Sequence, residues 1–238
     1  MKILSLECSA TPCSAAIIED GKILASDFVN VGLTHSQILM PMAEKVAQKA
    51  NTSLESIDGF AITSGPGSFT GIRIGISAVK GLAAAKKKPC VAVSTLLSMA
   101  YNYIDTDCIV CAVMDARCNQ VYNAIFDIEN GKITRICEDR ALLCEELKEH
   151  LKEISQNTKK CVIIVGDGTN VFLPFVKDIE NIMAPSEERH YQNAVSVAFA
   201  AEESFKSGNT LSPQDILPVY LRLPQAEREL KLKKENKK

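Results

Sequence analysis

Short apolar runs separated by turn residues open the chain and predict strands. Residues 2–6, 13–19 and 22–29 are such runs, and Asp20-Gly21 joins the second to the third as in a tight hairpin. From residue 34 to residue 51 the apolar positions instead recur every three or four residues, which predicts an amphipathic helix. The chain therefore begins with a three-stranded meander followed by a helix.

A glycine-rich segment comes next. Residues 57–63 predict a strand and residues 72–85 predict a tightly packed helix, and between them residues 64–75 are Ser-Gly-Pro-Gly-Ser-Phe-Thr-Gly-Ile-Arg-Ile-Gly. The segment is neither a P-loop nor a GxGxxG fingerprint. A turn before a helix can bind phosphate through backbone N–H groups, or it can simply be a tight structural turn. Both interpretations involve Gly65, Gly67, Ser68, Thr70 and Gly71.

The order of elements restarts after a strand at 90–93 and a helix at 95–103. The second series consists of strands at 108–114, 120–127, 132–137, 160–165 and 181–184, with helices at 141–154 and 193–207. Because the two series are alike, we predict an α/β protein of two lobes, 1–104 and 105–223, each with a mixed sheet and helices. Residues 224–238 are mostly charged, which predicts a disordered tail.

The composition excludes several classes of protein. The 238 residues are 46% hydrophobic and 24% charged, with a net charge of −2. A sizeable core is therefore expected, and no global positive field attracts nucleic acid. No apolar run is long enough to span a membrane, and the N-terminus lacks a signal-peptide core, so we expect a cytoplasmic protein.

The cysteines and histidines do not indicate a metal site. The nine cysteines are an odd number, and several lie in apolar strand-like runs, which is typical of reduced buried thiols. Cys108 and Cys111 have CxxC spacing, but on a strand they point to opposite faces. The histidines, at positions 35, 150 and 190, are scattered. These residues therefore predict neither a CxxC metal or redox site nor a zinc site.

The segment 64–75 closely resembles the signature of the bacterial TsaB (YeaZ) family. Weaker similarities follow in the family's order and extend from residue 3 to residue 222. They are residues 3–10, 34–36, 114–117 with 120–122, 165–168 and 218–222.

This resemblance implies an actin-like (ASKHA) fold of two RNase H-like lobes. It also implies a role in forming N6-threonylcarbamoyladenosine in tRNAs that read codons starting with A. In that system a TsaB protein binds and activates its paralogue TsaD, the metal-bearing transferase, and an ATPase, TsaE, joins them. For this chain we expect a non-catalytic partner without its own cofactor. ATP and metal would then belong to the partner proteins, tRNA contact would be indirect, and the chain alone would be a homodimer.

Two positions depart from catalytic relatives. TsaD-like proteins have a His-x-x-x-His pair after the strand that follows the glycine-rich helix, and here those positions are Thr95 and Met99. A hydroxyl and a thioether would not hold a hard divalent ion, so we predict no bound metal and no transfer activity. Actin-like proteins place an Asp near the phosphates at the end of the first strand, where this chain has Glu7. We expect no catalytic residue; the alternative is an independent actin-like ATP-dependent enzyme or a metallopeptidase.

The helices of the first lobe are the expected partner surface, because family members associate through them. The resemblance assigns eight residues to it: His35, Ile38, Leu39, Met42, Arg73, Ile74, Ser77 and Ala78. Glycines at 71, 75 and 81 would let a partner helix approach closely. The alternatives are that the apolar residues pack on the sheet, and that His35 is a surface imidazole beside a helix cap.

Two other charged groups allow two interpretations each. Asp115 and Arg117 lie on one face of a strand, which favours a salt bridge or a hinge contact over an acid–base pair. The basic tail at 231–238 is either solvated or in contact with tRNA phosphate.

Overall fold

The computed structural model describes residues 1–32 and 34–222, whose core is formed by two five-stranded mixed sheets. The first sheet has the spatial order β3-β2-β1-β4-β5. In that order its strands are Lys22–Val29, Cys13–Glu19, Lys2–Glu7, Gly59–Gly65 and Cys90–Ser94. Strands β1 to β3 form an antiparallel meander, and β4 and β5 add to β1 in parallel.

The second sheet repeats this topology, with the order β10-β9-β6-β7-β8. In that order its strands are Ile182–Met183, Val162–Val165, Cys108–Arg117, Gln120–Glu129 and Lys132–Leu143. Strands β6 to β8 are the antiparallel meander, and β9 and β10 are the parallel additions. The predicted α/β architecture with two mixed sheets is confirmed, and β1 and β6 are the central strands.

The helices begin close to their predicted positions. They are α1 His35–Lys49, α2 Phe69–Lys86, α3 Thr95–Ala100, α4 Cys144–Asn157, α5 Thr169–Phe172 and α6 Ala194–Lys206. Helix α2 begins three residues earlier than predicted, because the Ser68 hydroxyl caps it by accepting the Gly71 N–H at 3.2 Å. Helix α4 begins at Cys144, since residues 141–143, predicted as helix, pair with β7. None of the described helices is long and apolar enough to cross a membrane.

Both sheets are covered on both faces, which explains their continuous apolar runs. Helices α1 and α2 pack on one face of the first sheet, and α6 packs on the other. Helix α3 packs on one face of the second sheet, with α4 and α5 on the opposite face. Cys108 and Cys111 belong to different cores, so their predicted opposite orientation is confirmed. All nine cysteines are free.

Two helices pack on the sheet of the other series of elements. Helix α3 precedes β6, yet its Leu96 and Met99 pack with Phe126 of the second sheet. Helix α6 follows β10, yet its Val197 packs with Ile3 of the first sheet. Each series of elements therefore contributes one helix to the core of the other sheet. The lobe boundaries at 104 and 223 stay a prediction, and the predicted tail at 224–238 lies outside the described residues.

Candidate functional site

The glycine-rich turn between β4 and α2 is shaped by close backbone contacts. Gly65 and Gly67 have φ values of +124° and +153°, a region that favours glycine. A Cβ atom on Gly65 would collide with the Val219 carbonyl oxygen, and one on Gly67 would collide with the Ser9 carbonyl oxygen. These two glycines are therefore required by the neighbouring backbone.

The polar groups of the turn are largely used within the chain. The Ser68 N–H donates to the Ser9 carbonyl at 2.6 Å, and the Gly71 N–H donates to the Ser68 hydroxyl. Pro66 has no N–H group. The Cys8 thiol donates to the Gly71 carbonyl at 3.2 Å. These contacts support a structural turn, and phosphate binding there stays a prediction.

A cavity of about 670 Å³ lies where β1, β4, β6 and β9 end. Ligand sites in α/β proteins commonly lie at the carboxyl ends of strands. The β1–β2 turn and the glycine-rich turn form one side of this cavity, and the end of β6 and the turn after β9 form the other. Residues 219–222 close a third side. We call it the interlobe cavity.

Carboxyl groups lie on the second-sheet side of the interlobe cavity. Asp115 is on β6, and Asp167 lies two residues beyond the end of β9. Burial raises the pKa of Asp167 to about 6, while a hydrogen bond from Gln192 opposes the shift. The Asp115 carboxylate accepts the backbone N–H of Arg117 at 2.7 Å. The predicted salt bridge is not formed between these two described side chains, and the pair meets instead through the Arg117 backbone, whose φ of 68° turns the strand.

Glu7, at the end of β1, is buried beneath the cavity rather than exposed in it. Its Oε1 atom accepts the backbone N–H and the hydroxyl of Ser9, at 2.6 and 2.5 Å. Its Oε2 atom has no hydrogen-bond partner among the described residues. Burial is the main cause that raises the pKa of Glu7. The carboxyl group is therefore oriented by its own chain.

The structure separates the eight predicted partner-binding residues into two groups. Leu39 and Met42 are 1% and 5% exposed and belong to the core of the first sheet. They therefore match the alternative in which apolar residues of α1 pack on the sheet. The other six reach the surface fully or in part, and we call them the α1–α2 surface: His35, Ile38, Arg73, Ile74, Ser77 and Ala78.

Details of this surface differ from the expectations. The His35 Nε2 atom lies 3.2 Å from the Thr11 carbonyl oxygen, so the imidazole contacts the β1–β2 turn. A Cβ atom on Gly75 would lie 2.7 Å from Ile62 Cδ1, and one on Gly71 would collide with the Cys8 carbonyl. These two glycines therefore let α2 approach its own sheet, whereas Gly81 faces open space.

The sequence did not indicate the role of residues 211–222, which we call the strap. Leu211 exchanges two backbone hydrogen bonds with Cys90, and the Val219 N–H donates to the Ser64 carbonyl at 2.7 Å. Ile216 is fully buried in the core of the first sheet. The only earlier signal was the resemblance of residues 218–222 to the family.

Thr95 and Met99 are closed off from solvent. Both side chains are 0% exposed, and Met99 lies in the core of the second sheet. Within residues 1–32 and 34–222, no group of three or more His, Cys, Asp or Glu side chains could hold a metal ion.

Known proteins resemble the chain over nearly its whole length. A family model described as TsaD, tRNA N6-adenosine threonylcarbamoyltransferase, matches residues 30–230. The tRNA threonylcarbamoyladenosine biosynthesis protein TsaB of Escherichia coli is 31% identical over 225 residues, which are 93% of this chain and 95% of that protein. The chain belongs to the TsaB family.

The solved structure of YeaZ from Pseudomonas aeruginosa agrees with this assignment to the TsaB family. It matches with a TM-score of 0.78 and 26% identity over 92% of this chain and 99% of that one. The predicted actin-like fold is confirmed. A tRNA N6-adenosine threonylcarbamoyltransferase of Brachyspira hyodysenteriae is 30% identical over 118 residues, which are only 43% of this chain and 35% of that protein.

Proposed function

We propose that the chain is a non-catalytic partner that binds and activates a TsaD transferase. The modification would be N6-threonylcarbamoyladenosine in tRNAs that read codons starting with A. Membership of the TsaB family supports a place in this biosynthesis. In this proposal ATP and metal reside on TsaE and TsaD, contact with tRNA is indirect, and the chain acts in the cytoplasm.

The burial of Thr95 and Met99 is the observation that carries the non-catalytic assignment. TsaD-like proteins have their histidine pair at these positions, whereas here neither side chain has any exposed surface. An incoming divalent ion would meet a hydroxyl and a thioether inside a packed core. Such groups do not replace the oxygen and imidazole ligands that these ions prefer.

The α1–α2 surface supports the role as a binding partner. Ile38, Ile74 and Ala78 pack against the core of the first sheet and are also partly exposed. Exposed Arg73 and Ser77 lie next to them on α2. An apolar centre beside polar groups is typical of protein interfaces. The same surface would serve a homodimer when TsaD is absent, so the two assemblies would compete.

An independent ATP-dependent enzyme is less well supported. The Glu7 side chain is fully buried, and one of its two carboxyl oxygens is occupied by Ser9. It is therefore withdrawn from any phosphate that could enter the interlobe cavity. A metallopeptidase would in addition need a metal site, for which the described residues offer no cluster.

Reconstitution with purified TsaD, TsaE, tRNA and threonylcarbamoyl-adenylate tests the proposal. We expect modified tRNA only when the chain and TsaD are both present. Modification by the chain alone would overturn the non-catalytic assignment.

Charge substitution on the α1–α2 surface tests the binding site. Ile74→Glu should weaken association with TsaD at least about tenfold, because a carboxylate would lose its water at an interface. The matched control is Lys132→Glu, an exposed charge reversal at the β7–β8 turn, which should leave the affinity unchanged. Equal affinities for the two variants, measured by calorimetry, would exclude this surface.

A further inference from the structure

The strap connects α2 to the second sheet through contacts that begin at Arg73, a residue of the α1–α2 surface. Arg73 donates its Nε–H to the Tyr220 hydroxyl at 2.8 Å. The Tyr220 ring stacks on Phe69 with 4.5 Å between centroids, and the Arg73 guanidinium lies 3.8 Å from the centre of the Phe69 ring. Two residues further on, Arg222 donates a hydrogen bond to the Ala116 carbonyl at the end of β6.

These contacts form one continuous path. At its first end is Arg73, an exposed residue of the α1–α2 surface. At its other end is Ala116, which lines the interlobe cavity together with Tyr220 and Arg222. The earlier part of the strap is fixed to the first sheet by buried Ile216 and by the Val219 backbone. Only its last residues cross to the second sheet, and a single residue separates Tyr220 from Arg222.

Arg73 can serve only one strong acceptor through its Nε–H group. The Tyr220 hydroxyl is a neutral acceptor, and a carboxylate forms a charge-assisted bond with guanidinium that is about twice as strong. A partner carboxylate that binds Arg73 side-on, through Nε–H and one Nη–H group, would therefore displace Tyr220. Tyr220 would then be held by its ring stack on Phe69 and no longer through its hydroxyl.

We propose that the strap is a switch in which a partner carboxylate on Arg73 releases Tyr220 and thereby loosens the Arg222–Ala116 contact between the two sheets. The proposal rests on the proposed function for the identity of the partner. It goes beyond that function in stating what binding does to the interlobe cavity.

Hydrogen–deuterium exchange on the isolated chain tests the path without any partner. Tyr220→Phe removes the acceptor of Arg73 and keeps the ring stack, and Arg73→Ala removes the donor. Each should raise deuterium uptake of the β6–β7 turn, residues 115–119, about fivefold, as does the loss of one hydrogen bond worth about 1 kcal/mol. Arg222→Ala should raise uptake at the same residues, because it removes the hydrogen bond to the Ala116 carbonyl itself.

The matched control is Ser77→Ala, four residues beyond Arg73 on α2, whose uptake at residues 115–119 should equal that of the wild type. Uptake by peptides from β1 and β4 reports whether each variant is folded. The coupling is overturned if Arg73→Ala and Tyr220→Phe leave the β6–β7 turn unchanged, or if Arg222→Ala does.

The same measurement with TsaD separates this inference from the proposed function. In the wild type, TsaD should protect α1 and α2 and raise uptake at residues 115–119. In Tyr220→Phe, TsaD should still protect α1 and α2. It should cause no further rise in uptake at residues 115–119, because the Arg73–Tyr220 hydrogen bond is already absent. Protection of α1 and α2 without a rise at the turn contradicts the switch alone. No protection of α1 and α2 contradicts the proposed binding site, while the result on the isolated chain stands.

Discussion

The turns after β4 and after β9 occupy equivalent places in the two sheets. Each strand is the first parallel neighbour of a central strand. A Gly-x-Gly segment begins at the last residue of β4, as Gly65-Pro66-Gly67, and just after β9, as Gly166-Asp167-Gly168. Gly65, the first glycine of the first turn, lies against the Val219 carbonyl, and Gly166, the first glycine of the second, lies against the Val113 carbonyl. The same backbone requirement therefore appears in both halves of the protein.

The two turns differ in the helix that follows each of them and in their middle residue. The first leads into α2, an 18-residue helix capped by the Ser68 hydroxyl, and its middle residue is Pro66. The second leads into α5, a four-residue helix without a side-chain cap, and its middle residue is Asp167. One turn thus positions a long helix and its surface, and the other positions a carboxyl group at the interlobe cavity.

The largest expected effects test the shared backbone requirement. Gly65→Ala and Gly166→Ala should each lower the free energy of unfolding by roughly 2–5 kcal/mol, because both φ values are positive and each new methyl group meets a carbonyl. Urea denaturation measures both changes. A large cost at only one of the two glycines would show that the turns are not equivalent.

Gly81→Ala is the matched control for these glycines. It lies in α2 and faces open space, so alanine should raise the free energy of unfolding by about 0.5–1 kcal/mol. If Gly81→Ala instead lowered the free energy of unfolding, the losses at the two turn glycines could not be assigned to their close carbonyl contacts.

The next effect tests the carboxyl group that distinguishes the second turn. The folded-state pKa of Asp167 is about 6 against an ordinary value of 3.8, so the folded protein holds this proton more tightly than the unfolded chain. The protonated Asp167 carboxyl group therefore adds its full contribution to the free energy of unfolding below about pH 4. That contribution is lost as the pH rises through about 6. Asp167→Asn removes this loss and should be roughly 1–3 kcal/mol more stable than the wild type at pH 8.

Denaturation of both proteins at pH 4 and pH 8 measures this difference, which should shrink towards zero at the lower pH. A difference of the same size at both values would show that the carboxyl group is not the cause. Pro66, the equivalent residue in the first turn, cannot titrate, so no such effect arises there.

The smallest effect tests the cap of α2. Ser68→Ala should cost about 1 kcal/mol of unfolding free energy, because the Gly71 N–H loses its acceptor. Ser77→Ala, on the exposed face of the same helix, should change stability by less than about 0.5 kcal/mol. Similar values for both serines in thermal denaturation would argue against the cap.

Much of the fold could be predicted because its signals are local. The Asp20-Gly21 hairpin, the apolar periodicity of α1 and the glycine-rich turn are each contained within about 20 residues, and all three are present in the structure. The candidate site was less accessible. Leu39 and Met42 repeat at helical spacing, as an interface residue or a core residue would, and only packing places them in the core.

The sequence by itself determined the order of strands and helices, the repeat of that order and the glycine-rich turn, because turn chemistry and hydrophobic period act between near neighbours. The tertiary structure alone decided which groups meet across long separations. It placed α6 on the first sheet, joined Arg73 to Tyr220, and buried Asp167 enough to raise the pKa of that carboxyl group. Burial and long-range hydrogen bonds depend on how the two sheets pack together, and no local pattern specifies that packing.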